Sequence, residues 1–316
     1  MNKKINIGID IGGTKINIGL VKENGEIITR IKMAVVRDLE SERMIEMTSR
    51  EINQLIEKSG LSIQDIHSIG VGVPGTVDIR TGFVEYCPNL NWEDVPAGLL
   101  FGEYLKSEVR IAQDSRLAAW AEYLLGAGRN YRSMLCITLG TGIGCGIIID
   151  GKIFHGAMNT AGELGHTVFE KNGYSCICGN QGCLERYSSG TGIIQRAQQL
   201  FPNKFKNMAH KSESVFELAY RGDQEILTFI RVVVEDLAIG IANAVSLLSP
   251  QAVILSGGLC EHEDLIIKPL SELIYQYGYY SWVRKRQLKV ERAQMGSDAP
   301  MIGAALLYKT FENAED

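Results

Sequence analysis

The chain has 316 residues, 45% hydrophobic and 22% charged, the composition of an ordinary globular protein, and its length predicts two domains. A net charge of −5 argues against a nucleic-acid binder, which carries a basic face; the one basic run, Arg284-Lys285-Arg286 followed by Lys289, reads as solvated surface. Lys3 and Lys4 precede an apolar run, but Asp10 interrupts it and no cleavage site follows, so a soluble cytoplasmic protein without a membrane span is expected.

Residues 5 to 31 read as two or three strands. Ile5, Ile7 and Ile9 alternate, Gly12-Gly13-Thr14 turns, Ile16, Ile18 and Leu20 alternate again, and Asn24-Gly25 offers a second turn. Met44, Met47, Ile52, Leu55 and Ile56 predict a helix over 41–59, and a strand from Ser68 to Val73 ends in Pro74-Gly75. A short strand, Val109 to Ala112, leads through Gln113-Asp114 into a helix from Leu117 to Leu125, closed by residues 126–130. From Met134 to Phe154 the opening plan returns: apolar strand, glycine turn at Gly140 to Gly146, apolar strand, then Asp150-Gly151. Two such copies, roughly 125 residues apart, predict a duplicated α/β unit with an active-site cleft between its halves.

Between Gly162 and Gly190, His166, Cys176, Cys178 and Cys183 supply the four imidazole and thiolate ligands of a structural zinc site. The C-x-C pair and the turns that Gly179 and Gly182 permit let each thiolate face one ion. A disulfide would leave one cysteine over; reduced, unliganded cysteines in a glycine-rich loop are the other reading. After a polar connector at 202–212, Ile226, Phe229, Ile230, Val233, Leu237, Ile241, Val245 and Leu248 form the core stripe of a helix stopped by Pro250. Ala252 to Ser256 is a buried strand ending at Gly257-Gly258, where backbone can approach a ligand. A helix from Gly296 to Phe311 starts with Ser297 or Asp298 as cap and Pro300 in its first turn.

A glycine turn that joins two strands is neither a dinucleotide fingerprint nor a Walker loop, both of which open a helix. Phosphate needs amides, a cation and a carboxylate for the accompanying metal, and the first hairpin offers Gly12 to Thr14, Lys15 and Asp10. The second turn adds the amides of Gly140 to Gly146. Either turn alone could be a hairpin with positive φ; together they point to a nucleotide. Asp114, between a strand and a helix, is the candidate carboxylate to accept a hydroxyl proton in phosphoryl transfer, with helix N-cap as its alternative role. Glu163 and Glu185 flank the cysteines and could accept hydrogen bonds from a polyol, or stand as surface carboxylates.

Seven segments carry a resemblance: DIGGTK at 10–15, GVPGTVD at 72–78, PNL at 88–90, LGTGIGCG at 139–146, GELGH at 162–166, CICGNQGCLE at 176–185 and SGG at 256–258. Nearly the whole chain resembles the ROK family (repressors, open reading frames and kinases), the sugar-kinase branch of the actin and hexokinase ATPase fold. The resemblance implies a ribonuclease H-like α/β fold of two domains. These are 1–113, completed by a C-terminal helix at 300–316, and 114–299, which carries the zinc loop. It implies Asp10 holding Mg2+ through water, Gly12, Gly13, Thr14, Lys15, Gly140, Thr141 and Gly142 around the phosphates of ATP, and Gly257 and Gly258 near adenosine. Gly75, Asn89, Gln113, Asp114, Glu163, His166 and Glu185 would line the sugar, Asp114 as general base for its 6-hydroxyl. His166 would give one ring nitrogen to a structural zinc and turn the other towards the sugar.

The implied activity is ATP-dependent phosphorylation of a hexose, glucose first. Alternatives are D-allose, N-acetylmannosamine or fructose, or a non-catalytic sugar-sensing regulator; repressors of the family carry a winged helix-turn-helix ahead of the kinase-like part, whereas the phosphate hairpin here begins at residue 5. A homodimer, closure over the sugar, and no nucleic-acid or membrane partner are also implied. One departure bears on the sugar. The family's Asn-Asp, often followed by Ala-Asn, reads Gln113-Asp114-Ser115-Arg116 here, and the extra methylene of Gln113 shifts its amide by more than a hydrogen bond tolerates.

Overall fold

The computed structural model describes residues 4–36, 39–279, 285 and 287–312. Arg284 and Arg286 of the basic run, and 313–316 of the expected C-terminal helix, lie outside the described residues. The chain divides into two compact units, one of Met1–Asn130, Gly146–Ala161 and Ser297–Asp316, the other of Tyr131–Cys145 and Gly162–Gly296. The expected boundary at 113/114 falls inside the first unit.

In the first unit a five-stranded sheet has the order β3-β2-β1-β4-β8, from β1 (Ile5–Ile11), β2 (Lys15–Lys22), β3 (Ile27–Ala34), β4 (Ile66–Val73) and β8 (Val109–Gln113). The three N-terminal strands pair antiparallel, and β4 and β8 join parallel. Burial explains the patterns: β1 and β2 are covered on both faces and read as nearly continuous apolar runs, whereas edge strand β3 alternates half-buried and exposed residues. Helix α1 (Ser41–Lys58) buries Met44, Ile45, Ile52, Leu55 and Ile56 on one stripe. Short strands β5 (Thr76–Asp78), β6 (Phe83–Cys87) and β7 (Trp92–Val95) form a separate three-stranded sheet, followed by α2 (Ala97–Leu105) and, after β8, α3 (Asp114–Leu125).

The C-terminal segment is not one helix. A 3-10 turn at Gly296–Asp298 precedes α10 (Ala299–Ala305), and a further turn separates it from α11 (Lys309–Glu312). Asp298 stands at the cap position but makes no side-chain capping bond; its two carboxylate oxygens instead take Arg30 Nη1 at 2.8 and 2.7 Å. An ion pair with a strand thus replaces the expected local cap. Helix α10 lies backbone to backbone on the sheet and on α3. A Cβ built on Gly8 would stand 1.9 Å from the Met301 carbonyl oxygen, one on Gly70 2.0 Å from that of Ala304, and one on Gly303 1.9 Å from that of Leu117. Trp120 Nε1 ties α3 to the end of α10 through Leu306 O at 3.0 Å.

A second five-stranded sheet repeats the order: β11-β10-β9-β12-β13, from β9 (Met134–Leu139), β10 (Ile143–Ile149), β11 (Lys152–Ile153), β12 (Ala252–Ser256) and β13 (Lys289–Arg292). Strand β12 runs parallel to both β9 and β13. Among the described residues the helices of the second unit are α4 (Glu185–Ser188), α5 (Gly190–Leu200), α6 (Pro202–Phe205), α7 (Glu213–Tyr220), α8 (Gln224–Leu248) and α9 (Lys268–Tyr277). One expectation needs correction: the polar connector contains α6, which buries Phe205. Helix α8 runs to Leu248 and, as expected, stops at Pro250, with a left-handed Ser249 (φ 46°) as its cap. At its other end Asp223 caps α8, its Oδ1 accepting from the amides of Glu225 and Ile226. Among the described residues no helix is long and apolar enough to cross a membrane.

Candidate functional site

The first unit carries Asp10, Gly12 to Lys15, Gly75, Asn89, Gln113 and Asp114; the second carries Gly140 to Gly142, Glu163, His166, the three cysteines, Glu185, Gly257 and Gly258. In the first unit Asp10 lies opposite Asn17 in the β1–β2 register and accepts a hydrogen bond from its Nδ2 at 3.0 Å. Burial raises the Asp10 pKa, against the lowering effect of Asn17 and Lys15, and Asp298 raises it further. A cation would reverse that balance. Asn17 Oδ1 is buried with no hydrogen-bond partner among the described residues, so this end of the hairpin presents hard oxygen donors of the kind Mg2+ takes. Asn17 escaped the sequence reading; its place opposite Asp10 was the available signal.

The turn itself is closed by Gly12 N to Lys15 O at 2.9 Å, and Thr14 and Lys15 are exposed. Gly12, Gly13, Gly140 and Gly142 are not among the residues with positive φ, so these turns are not the left-handed hairpins left open above. Close approach requires glycine at Gly142, where a Cβ would lie 2.3 Å from Glu185 Oε2; a Cβ on Gly13 would make only ordinary contact, 3.6 Å from that of Asn89. Gly75 differs: its φ is 147° and a Cβ there would stand 2.4 Å from Tyr86 O and 2.9 Å from Cys87 Cβ.

Asp114 is the first residue of α3. Gln113 occupies the cap position in extended conformation without a side-chain capping bond, and Asp114 Oδ1 accepts the amide of its neighbour Ser115 at 2.6 Å. The N-cap alternative therefore fails, and the carboxylate sits where the helix presents its partial positive charge. Beside it, burial pushes the Cys87 thiol up to about 12, with the charge of Asp114 adding to the effect, so this cysteine stays protonated and inert.

In the second unit the glycine turn is braced from α4 and α5. Glu185 Oε2 accepts Ile143 N at 2.9 Å, Gly190 N donates to Gly140 O at 2.8 Å, and Thr191 N donates to Thr141 O at 3.2 Å. One oxygen of Glu185 thus holds the turn, a role the sequence did not suggest. Gly257, with φ 96°, would place a Cβ 2.4 Å from Leu139 O, while Gly258 faces open space.

The ligand atoms of His166, Cys176, Cys178 and Cys183 all lie within 4.8 Å of one another, the one such cluster among the described residues. All three cysteines are free thiols, so the disulfide reading is not the state seen. His166 Nδ1 is 3.6 Å from Cys176 Sγ, and Cys178 Sγ is 3.6 Å from Cys183 Sγ. A tetrahedron with Zn–S bonds of about 2.3 Å has edges of roughly 3.8 Å, so the donor set and its spacing fit zinc. Burial pushes the Cys183 thiol up to about 12 and raises Cys176; at Cys178 burial also raises, but the Asn180 amide and the neighbouring thiols outweigh it and the net direction is down. A divalent ion at the centre favours the thiolates. The other ring nitrogen of His166, Nε2, is turned to Glu163 Oε2 at 4.0 Å. The loop's geometry rests on Gly179 (φ 91°) and Gly182 (φ 76°), and Tyr187, whose hydroxyl accepts Tyr174 N, packs beneath it.

Two five-stranded sheets of one order, each with a glycine turn after its first strand, define an α/β protein of the actin/hexokinase-like class. The model of the ROK family matches residues 6–311, and the chain belongs to that family. It is 31% identical to a glucokinase of Halalkalibacterium halodurans, over 99% of this chain and 98% of that protein. It is 29% identical to the xylose repressor of Caldicellulosiruptor bescii, over 94% of this chain and 76% of the repressor. The crystal structure of a ROK family glucokinase from Streptomyces griseus in complex with glucose and AMPPNP superposes with a TM-score of 0.82 at 30% identity, covering 96% of this chain and 98% of that one.

Proposed function

We propose that the protein is an ATP-dependent hexose kinase that phosphorylates the 6-hydroxyl of glucose. The observation that carries this reading is the likeness, along nearly the full length of both chains, to a glucokinase whose complex holds glucose and an ATP analogue together. Asp114 is the base: it takes the proton of the 6-hydroxyl as that oxygen bonds to the γ-phosphorus and the bond to the ADP oxygen breaks. Gly13 to Lys15, Thr141 and Gly142 offer amides and a cation to the phosphates, in turns that the amides of Gly12 and Gly140 close, and Gly257 and Gly258 lie towards adenosine. Asp10, with Asn17 beside it, would hold Mg2+, which would supply charge neutralisation to the phosphates. Gly75, Asn89, Gln113, Glu163, His166 and Glu185 serve the sugar hydroxyls.

Zinc at His166, Cys176, Cys178 and Cys183 is structural in this reading. Four protein ligands would leave no open position, and with Nδ1 of His166 given to the metal its proton would sit on Nε2, where it could donate to a hydroxyl or to Glu163. A cytoplasmic homodimer, as the family resemblance implies, completes the proposal. The test is ADP release with Mg2+ and ATP against glucose, mannose, allose, fructose, N-acetylglucosamine and N-acetylmannosamine, with Asp114→Asn as control. Turnover on glucose that the control lacks supports the reading. Another preferred hexose revises the substrate, and a sugar that raises thermal stability without turnover replaces the kinase by a sugar-binding regulator.

A further inference from the structure

Arg116 lies on the first turn of α3, two residues after Asp114, and is only 1% exposed. A buried guanidinium is costly unless its charge is engaged, and here both terminal nitrogens have partners. Its Nη2 donates to the carbonyl oxygens of Asn159 at 2.7 Å and Ala161 at 2.9 Å, and its Nη1 lies 3.5 Å from His155 Nδ1. All three partners belong to one loop, His155 to Ala161. That loop closes on itself through Ala161 N to His155 O at 3.1 Å, with left-handed residues at Gly156 (φ 72°) and Asn159 (φ 54°). A guanidinium only donates, so His155 Nδ1 is the acceptor and the ring is neutral with its proton on Nε2. Burial, with the Arg116 charge adding to it, lowers the His155 pKa to about 4, in agreement. The loop is therefore built around a cation delivered by the helix that begins with Asp114.

We propose that Arg116 is a positioning residue for the sugar subsite: by holding the carbonyls of Asn159 and Ala161 it fixes the backbone from which Gly162 and Glu163 continue. The carbonyl of Ala161 lies in the same rigid peptide plane as the amide of Gly162, so holding one orients the other. Only the two torsions of Gly162 then separate that plane from Glu163. Gly162 itself has φ 96° and is held by its carbonyl oxygen, which accepts the amide of Leu164 at 2.8 Å. Arg116 thus ties the start of the base's helix to the carbonyl of Ala161, from which the chain continues to Glu163. The inference rests on the kinase reading, in which Asp114 and Glu163 both serve the sugar. A merely structural arginine would cost stability and active fraction, leaving sugar affinity as it was.

The test uses full-length, zinc-loaded protein carrying Arg116→Met, which keeps length and loses the donors, or Arg116→Lys, which keeps charge but cannot meet all three partners. Glucose affinity is measured calorimetrically without nucleotide, KM for glucose and ATP by ADP release, and amide exchange over 155–163 by mass spectrometry. Arg116→Met is expected to weaken glucose binding roughly tenfold, equivalent to about 1.4 kcal/mol. Its KM for ATP stays within about twofold, zinc content is unchanged, and exchange over 155–163 accelerates; Arg116→Lys falls between it and wild type. A glucose Kd within about twofold of wild type, in whichever of the two variants folds, overturns the proposal. Wild-type protein that binds glucose but releases no ADP refutes the kinase reading alone; wild-type protein that binds none of the six hexoses refutes both.

Discussion

Protonation of His155 should destabilise the protein measurably in mild acid. Burial and the neighbouring Arg116 hold its folded-state pKa near 4, against an ordinary value of 6.5. Between those values the unfolded chain binds more protons than the folded one, so stability rises with pH across the window. The contribution is fully present above pH 6.5 and is lost as pH falls towards 4. At pH 4.5 the linkage integral gives a loss of about 2.5 kcal/mol. Because the ring is only half-buried, solvent screening brings the expected range to about 1–2.5 kcal/mol. Urea unfolding of wild type and His155→Gln at pH 7 and pH 4.5 isolates the effect, since the other titrating groups are common to both proteins. The wild type should lose more stability than the variant on acidification, by that margin. An equal loss in both would mean that His155 is protonated in the folded state, and the acceptor role of Nδ1 towards Arg116 would be wrong.

Removing a zinc ligand should act on metal and sugar together: Cys183→Ser is expected to lose most bound zinc by elemental analysis and to weaken glucose binding, whereas a zinc-free variant with full sugar affinity would make the metal dispensable. Gly70→Ala drives a Cβ to 2.0 Å from a helix carbonyl that cannot yield cheaply, so a loss of about 3 kcal/mol or more by chemical denaturation is expected, and a loss below about 1 kcal/mol would show that α10 can lift. Glu185→Ala removes the acceptor of the Ile143 amide and should raise KM for ATP as well as for the sugar; an unchanged KM for ATP would show that the glycine turn holds without it.

What the sequence made legible was local. The β1–β2 hairpin, the cysteine loop and the stripe of α8 each declare themselves within about twenty residues, the range over which spacing and turn chemistry operate. The β5–β7 sheet escaped because its strands are three to five residues long and mix buried and exposed positions without alternation. Long-range partners overrode local readings elsewhere. Asp298 reads as a helix cap, but Arg30 claims its carboxylate from 268 residues away. Glu185 reads as a neighbour of the cysteines, yet one of its oxygens serves an amide 42 residues upstream. Gly8 and Gly70 look like ordinary strand residues, and nothing nearby announces that a helix formed by residues 299–305 will rest on their Cα atoms. Arg116 was legible only as a departure from the family pattern; its purpose needed the loop at 155–161.

The seating of α10 on Gly8 and Gly70 also sets an order of events during synthesis. Strands β1, β2 and β4 leave the ribosome early, but the helix that covers this face of their sheet is translated roughly 170 residues after Asn130. At 5–20 residues per second that is a wait of roughly 10 to 30 s. Throughout that interval the chain has a sheet it can pair but can cover on one face only: α1 is made early, whereas the face that carries Gly8, Gly19 and Gly70 waits for its wall. The nascent chain should therefore be a chaperone client until the helix in its last twentieth is made, and crosslinking of stalled chains to ribosome-associated chaperones should persist until residues 299–305 have cleared the ribosome and fall away once they have.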